Sequence, residues 1–484
     1  MTARLPTTLA GAAGAATVRT TAPSRDLSAL RAALAGAGVE VRDDAATLDD
    51  HARDWWPVSI GWAAHGELLS RPGLVAAPTT TPQVAATVAA CVHAGVPFTP
   101  QGGRSGVCGG AVPEPGAVAI DLTALHGVVH FDEVSQRVRA AAGTFGPDLE
   151  AWLRTRNCTL GHFPQSMDIS TVGGWIACRS AGQYSTRYGK IEDLVRGLTV
   201  VLADGTVVTT GGAGPRQAVG PDLTQLFVGA EGTLGIVTEV ELAVHALPAA
   251  QDRRAFSFDD FAAGLDACRR VLQRGATPAV LRLYDAAESA RHFKVDRCVL
   301  VVLDEADPAL LAATLSIVDD ECAAAHAEDP ALVEAWLVAR NDVSALGPLW
   351  EHGVVVDTME TAAPWSALPE VHRAVCEAIL GVEGTSIATV HQSHAYTDGA
   401  CLYFTFAGRP ADADTYYDKV WDVATRAALA HGASLSHHHG VGRNRRRFVA
   451  EALGSGTKVL LALKGALDPD GRCNPSVLVP EPPT

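Results

Sequence analysis

His162-Phe-Pro-Gln165-Ser166-Met167-Asp168-Ile169-Ser170-Thr171-Val-Gly173-Gly174-Trp175, running on through Cys178-Arg179-Ser180-Ala181-Gly182 to Arg187-Tyr-Gly-Lys-Ile-Glu-Asp-Leu-Val195, is dense in small and hydroxyl side chains that no packing requirement explains. Small residues let a ligand approach the main chain, and Ser170 and Thr171 stand where a helix can begin at Gly173-Gly174. Amide N–H groups left free at such a start suit a pyrophosphate. Taken alone, the stretch reads equally well as a dinucleotide cradle or as an ordinary turn.

Two more loops break the tie. Upstream, a strand over 74–78, a helix over 82–94 and a strand over 96–100 form a unit that ends in Gln101-Gly102-Gly103-Arg104-Ser105-Gly106-Val107. Downstream, Glu231-Gly232-Thr233-Leu234-Gly235-Ile236-Val237 leads into a strand ending at Val244. Between them the pattern predicts strands over 118–122 and 136–142, a helix over 147–154, and a hairpin of 198–202 with 206–210. Asp204-Gly205 closes that hairpin, because the pair supplies the positive φ angles of a tight turn. Near the start, the spacing of Leu27, Leu30, Ala33 and Leu34 predicts a helix over 26–38, and Trp55, Trp56 and Trp62 read as core. Beyond Leu247-Pro248 the glycine density falls, and helices over 260–274 and 308–328 with strands over 280–284 and 299–303 predict a second unit. The fold class is α+β.

A chain of 484 residues exceeds one compact core. Acidic residues outnumber basic ones, 54 to 38, for a net charge of −16, which opposes general attraction to nucleic acid or an anionic membrane. The ten cysteines are scattered without a Cys-x-x-Cys pair, as expected of free thiols in a reducing cytosol. No strongly apolar run reaches the length of about 18 residues that a spanning helix needs. Pro6, Gly11 and the neighbouring threonines interrupt the apolar core of a signal peptide, so Met1 to Arg25 reads as a flexible leader.

In order and spacing, the three loops resemble those of the vanillyl-alcohol-oxidase (PCMH-type) family, over about residues 71 to 248, and Leu467-Asp-Pro-x-Gly-x-x-Asn-Pro475 resembles that family's usual end. The resemblance implies a PCMH-type FAD-binding domain of two α+β subdomains with an α+β cap that covers the substrate. The domains would be a leader and helical segment at 1–70, the FAD-binding domain at 71–248, the cap at 249–421 and a segment completing the active site at 422–484. It also implies that Gln101–Val107 meets the pyrophosphate, that Gln165–Thr171 and Cys178–Ala181 line the flavin, and that Glu231–Val237 closes the adenosine side. Covalent members carry histidine in a Gly-Gly-His-Ser loop where this chain has Gly-Gly-Arg104-Ser105. Non-covalent FAD is therefore expected, with Arg104 on the diphosphate.

Within the family the chain is most similar to the alkylglycerone-phosphate synthase branch, through Ser170-Thr-Val-Gly-Gly-Trp175, Arg187–Val195, Glu360-Thr-x-Ala-Pro-Trp365, Tyr403-Phe-x-Phe406 and Ser436-His-His-His-Gly-Val-Gly442. That likeness implies exchange of the acyl chain of acyl-dihydroxyacetone phosphate for a fatty alcohol, with flavin N5 as a covalent scaffold and no net redox change. Arg282 and Arg373 would bind the anionic, lipid-like substrate, Tyr403 would exchange a proton at the reacting carbon, and His437, His438 and His439 would support the phenol with charge or hydrogen bonds. Without the family, each arginine reads as a surface ion pair and the histidine triplet as solvated or weakly metal-binding. On a strand, His437 and His439 would share a face and His438 would take the other.

The alternative is an FAD-dependent 2-hydroxy-acid or alcohol dehydrogenase that passes a hydride to flavin N5. Such relatives hold a metal with His-x-x-Gly-Asp-Gly-x-x-His and Glu-His-Gly. Here the matching stretches are His394 to Tyr403 and His438-His439-Gly440, so two ligands are changed and no metal is expected. A non-enzymatic flavin scaffold would leave Arg282, Arg373 and Tyr403 unexplained. Arg443, Arg445, Arg446 and Arg447 read as a solvated helix start, with peripheral contact to phospholipid headgroups as the other reading. The family leaves a homodimer open. A cytoplasmic location is expected, since Gly11 breaks the Arg-Leu-x5-His/Gln-Leu address and the chain does not end in Ser-Lys-Leu.

Overall fold

Buried and half-buried residues alternate along the whole strand Ile236–Ala243, the pattern of a strand with one face packed and the other half-open. In the computed structural model, which describes residues 5–22, 25–212 and 214–481, this strand is the centre of a five-stranded antiparallel sheet in the order Val207–Thr209, Val195–Val201, Ile236–Ala243, Arg137–Ala141, Val128–Asp132. Its packed face carries Val138, Val200, Val240 and Leu242, covered by Leu149, Leu153, Trp175 and Ile176 from two short helices. The predicted hairpin at Asp204-Gly205 is present.

A second sheet has the order Glu40–Arg42, Leu74–Ala77, Val118–Asp121, Phe98–Gln101, and its last three strands are parallel. The parallel strands Leu74–Ala77 and Phe98–Gln101, on either side of Val118–Asp121, need a crossover, which helix Thr81–His93 supplies; the Thr80 side chain accepts from the Gln83 amide at its start, and Val84, Val88 and Cys91 are buried. Strand Phe98–Gln101 delivers the first glycine loop at its carboxyl end.

The third sheet, seven-stranded and antiparallel, runs His326–Glu328, Ala250–Phe258, Cys298–Ala306, Val280–Tyr284, Thr385–Ala395, Gly399–Gly408, Val355–Pro364. Every residue of Cys298–Ala306 is buried because its two faces serve different cores. Cys298, Leu300 and Val302 meet helices Phe261–Gln273 and Pro308–Glu321, whereas Val299, Val301 and Leu303 pack with Tyr284, Phe293 and Trp336. This second face looks toward the glycine loops.

Three expectations change. Helix Pro308–Glu321 stops seven residues short of 328, because His326–Glu328 turns back to pair with Ala255–Ser257 and satisfies its main chain in the sheet. Strand Ala250–Phe258 is masked in the sequence by its charged residues: Asp252 is exposed, and Arg253 and Arg254 are half-buried in ion pairs with Glu334, Asp252 and Asp319. The described part of the leader is held: Thr17–Val18 pairs in parallel with Glu67–Leu68, and the Arg19 guanidinium lies 4.6 Å from the Trp62 ring centroid. Residues 1–4 and 23–24 of that expected leader lie outside the described residues.

The two halves are joined by a buried fork. Arg187 donates from Nε and Nη2 to the two oxygens of Asp304, at 2.8 and 2.7 Å, and Asp304 is fully buried in the third sheet. Asp304→Ala strands this guanidinium and should cost about 3 kcal/mol or more. A loss below about 1 kcal/mol in urea unfolding would contradict this account.

Candidate active site

A cavity of about 700 Å³ lies between the glycine loops and the open face of the third sheet. On the loop side, a Cβ added to Gly103 would stand 1.9 Å from the Ile169 carbonyl oxygen, and one added to Gly102 would stand 2.3 Å from Thr171 Oγ1. The first loop therefore meets the second with bare main chain, against the Ile169 carbonyl and the Thr171 side chain. Arg104 takes a left-handed φ of 56°, and among the described residues the amides of Gly103 to Gly106 donate to no protein acceptor. Free main-chain donors beside a cavity of this size fit the pyrophosphate of a dinucleotide.

Most of the expected cofactor residues line this cavity: Gly102 to Val107, Gln165, Ser166, Asp168 to Thr171, Cys178, Ser180, Ala181, Glu231, Gly232 and Gly235 to Val237. Five do not. Gln101 is buried and donates to the carbonyls of His51 and Ala111, Met167 and Leu234 pack in the core, and Thr233 donates to the Ala230 carbonyl. Arg179 is the left-handed cap of helix Val172–Cys178 and reaches outward to Gln225. The Arg104 guanidinium, expected at the diphosphate, is held by the Asp50 carboxylate at 2.6 Å and by the Asp50 carbonyl.

Glu231 accepts from the amides of Val441 and Gly442 at 2.6 and 2.7 Å and so ties the C-terminal loop to the third glycine turn. Burial pushes its carboxyl up to about 7.

On the sheet side, Arg282, His391, His394 and Tyr403 project from three adjacent strands. His391 and His394 both reach the cavity because the register shifts between Gln392 and His394; strict alternation would have put them on opposite faces. The Tyr403 hydroxyl is 3.0 Å from Thr358 Oγ1, and its ring stacks on His391 with centroids 4.9 Å apart. Burial raises the phenol's pKa, so Tyr403 holds its proton at neutral pH.

The histidine triplet is not on a strand. Glu360 accepts from the amides of His437 and His439 and from Ser436 Oγ, which bends the chain so that His438 and His439 line the cavity while His437 turns away to the Tyr396 hydroxyl at 2.9 Å. Burial lowers the pKa of all three imidazoles, that of His439 to about 4. They are neutral, so the positive charge beside Tyr403 comes from Arg282, not from the triplet. Nitrogen atoms of His394, His437 and His438 lie within 4.8 Å of one another, a grouping the sequence comparison of ligand positions missed because His437 completes it.

Two further expectations are corrected. Arg373 sits on the exposed side of helix Leu368–Leu380, paired with Glu370 and with Glu377 at 2.6 Å, and does not line the cavity. The arginine run is only partly solvated: Arg447 is exposed and donates to the Asp418 carbonyl, but Arg445 is fully buried against Glu360 at 3.1 Å, Arg443 reaches Glu114 at 2.7 Å, and Arg446 donates to the Val479 carbonyl.

Residues 72–211 match the FAD binding domain family, and residues 247–478 match the C-terminal domain of FAD linked oxidases. An uncharacterized FAD-linked oxidoreductase of Escherichia coli (strain K12), YgcU, is 30% identical over 390 residues, 75% of this chain and 80% of that one. The chain belongs to the PCMH-type (vanillyl-alcohol-oxidase) family. This family member is an FAD-dependent enzyme of mixed α+β architecture and holds its FAD non-covalently. The alkyldihydroxyacetonephosphate synthase of Dictyostelium discoideum is 28% identical over 460 residues, 86% of this chain and 74% of that one. A solved alkyldihydroxyacetonephosphate synthase has the same fold, with a TM-score of 0.79 at 24% identity over 94% of this chain and 87% of that one. Among the described residues, no helix is long and apolar enough to cross a membrane.

Acid precipitation should release the yellow colour into the supernatant, while flavin staying with the pellet would refute the non-covalent assignment. Gly103→Ala must move the Ile169 carbonyl, at a strain of about 1–3 kcal/mol, and FAD affinity measured by fluorescence should fall about tenfold or more. For Glu231, the raised pKa makes its contribution to stability complete below its ordinary 4.5 and lost as pH rises through about 7. Glu231→Gln should therefore flatten the fall in melting temperature across this window; an unchanged slope would count against a raised Glu231 pKa.

Proposed function

We propose that this flavoenzyme exchanges the acyl chain of an acyl-dihydroxyacetone phosphate for a fatty alcohol. The observation that carries this reading is the mixed lining of the cavity. Arg282, Tyr403, His438 and His439 line the same space as Ala335, Ala339, Val343, Leu346, Leu349 and Pro57. Arg282 has no carboxylate within ion-pair distance among the described residues, so its charge is available to a phosphate. A fatty chain suits the apolar lining, which also excludes water.

Bound FAD would supply N5 as a nucleophile and temporary anchor for the substrate carbon. The protein supplies the rest. Arg282 binds the phosphate, and Tyr403, oriented by Thr358, exchanges a proton with the reacting carbon through its phenolate form, which the Arg282 charge favours. The carbon–oxygen bond to the acyl group breaks with its electron pair leaving on the carboxylate. The alcohol oxygen then forms the new bond and gives up its proton, so no electrons are gained or lost overall.

A second reading, hydride transfer from a 2-hydroxy acid to the flavin, is favoured by the convergence of His394, His437 and His438. One anaerobic assay separates the two. With palmitoyl-dihydroxyacetone phosphate and hexadecanol, exchange without lasting flavin bleaching is expected, and Tyr403→Phe should lower kcat about 100-fold or more. Bleaching by a 2-hydroxy acid, with no exchange, would overturn the proposal.

A further inference from the structure

Arg282 and Tyr403 both lean on one imidazole. His391 is buried on strand Thr385–Ala395, with Nδ1 2.7 Å from Glu288 Oε2, Nε2 hydrogen-bonded to Arg282 Nη2, and its ring stacked on Tyr403 at an interplanar angle of 20°. Glu288 is buried on helix Ala286–Phe293 and also accepts from Thr389 at 3.1 Å, Thr405 at 3.3 Å and Arg291 at 3.2 Å.

The donor order follows from the chemistry of the three groups. An ionised carboxylate only accepts and a guanidinium only donates, so His391 must be neutral, with its proton on Nδ1 toward Glu288 and a bare Nε2 toward Arg282. Burial first, and then the Arg282 charge, lower the His391 pKa, while the hydrogen bond from His391 and the Arg291 charge outweigh burial and hold Glu288 below the usual carboxylate range. The imidazole is also a spacer. Without it, Arg282 could close directly on the Glu288 carboxylate and its charge would be cancelled. With it, Arg282 stays in the cavity between the rings of Tyr284 and Trp336, 5.5 and 5.8 Å from their centroids, and among the described residues its Nε has no protein acceptor.

We propose that His391, fixed by Glu288 as the Nδ1–H tautomer, is a positioning residue that keeps Arg282 apart from Glu288 and aims its guanidinium at the anionic end of the substrate. This rests on the assignment of Arg282 in the proposed function.

The test is calorimetric titration of dihydroxyacetone phosphate into holoenzyme, with variants compared at equal FAD content. His391→Phe keeps a ring against Tyr403 but loses the acceptor, and its Kd should rise about tenfold. Arg282→Ala should show the same rise, and the double variant no further loss, since both remove one interaction. His391→Gln returns an acceptor oxygen and should bring Kd to within about threefold of the original. If Arg282→Ala weakens binding but His391→Phe does not, or if the two losses add, or if His391→Gln is as weak as His391→Phe, the positioning role is wrong. If Arg282→Ala leaves Kd unchanged, the anion site of the proposed function falls, and this inference with it.

Discussion

Glu360 is fully buried on strand Val355–Pro364, and its carboxylate accepts from Ser436, from the amides of His437 and His439, and from the buried guanidinium of Arg445. Burial alone would protonate such a carboxyl. The Arg445 charge and these donors outweigh it and hold the pKa below the usual range. The contents of the cavity depend on this group, because its bonds bend residues 436–440 and thereby choose which histidines face inward. From the opposite wall Glu231 takes two further amides, those of Val441 and Gly442, so the C-terminal loop hangs between two buried acids. One acid belongs to the FAD-binding half and one to the cap sheet.

Beyond helix Thr457–Leu467 the chain completes the first wall. Asn474 donates to the carbonyls of Gly110 and Glu231, and its own amide donates to the Phe98 carbonyl, so the chain's last described segment returns to the strand that delivers Gln101 to Val107. Arg187 on Asp304 braces the other side. The imidazoles and the phenol on the sheet side are neutral, and Arg282 faces the cavity without a carboxylate partner among the described residues. A substrate anion entering there finds a guanidinium already partly desolvated, where its electrostatic attraction is stronger than in water.

The loops were legible because they depend on local chemistry. Gly102 and Gly103 have neighbours that a Cβ would strike, and Asp204-Gly205 turns a hairpin for reasons contained in two residues. Most residues carried over from the family's motifs line the cavity for the same reason. The misses share a different cause. Arg373 and Arg282 look alike in sequence, but one meets Glu370 and Glu377 a turn away on its own helix and the other meets a histidine 109 residues distant. His391 and Glu288 carry no local signal at all, since their pairing is created by sheet packing across 103 positions.

The sequence by itself determined the three glycine loops, the α+β class, the family and the FAD that goes with it, because close main-chain approach demands particular residues at particular places. Only the tertiary structure decided which charges meet. It buried Arg445 on Glu360, spent Arg104 on Asp50, turned His437 away and left Arg282 open to the cavity. Ion pairs and hydrogen bonds between side chains form wherever the fold brings donors to acceptors, and sequence separation places no limit on such partners.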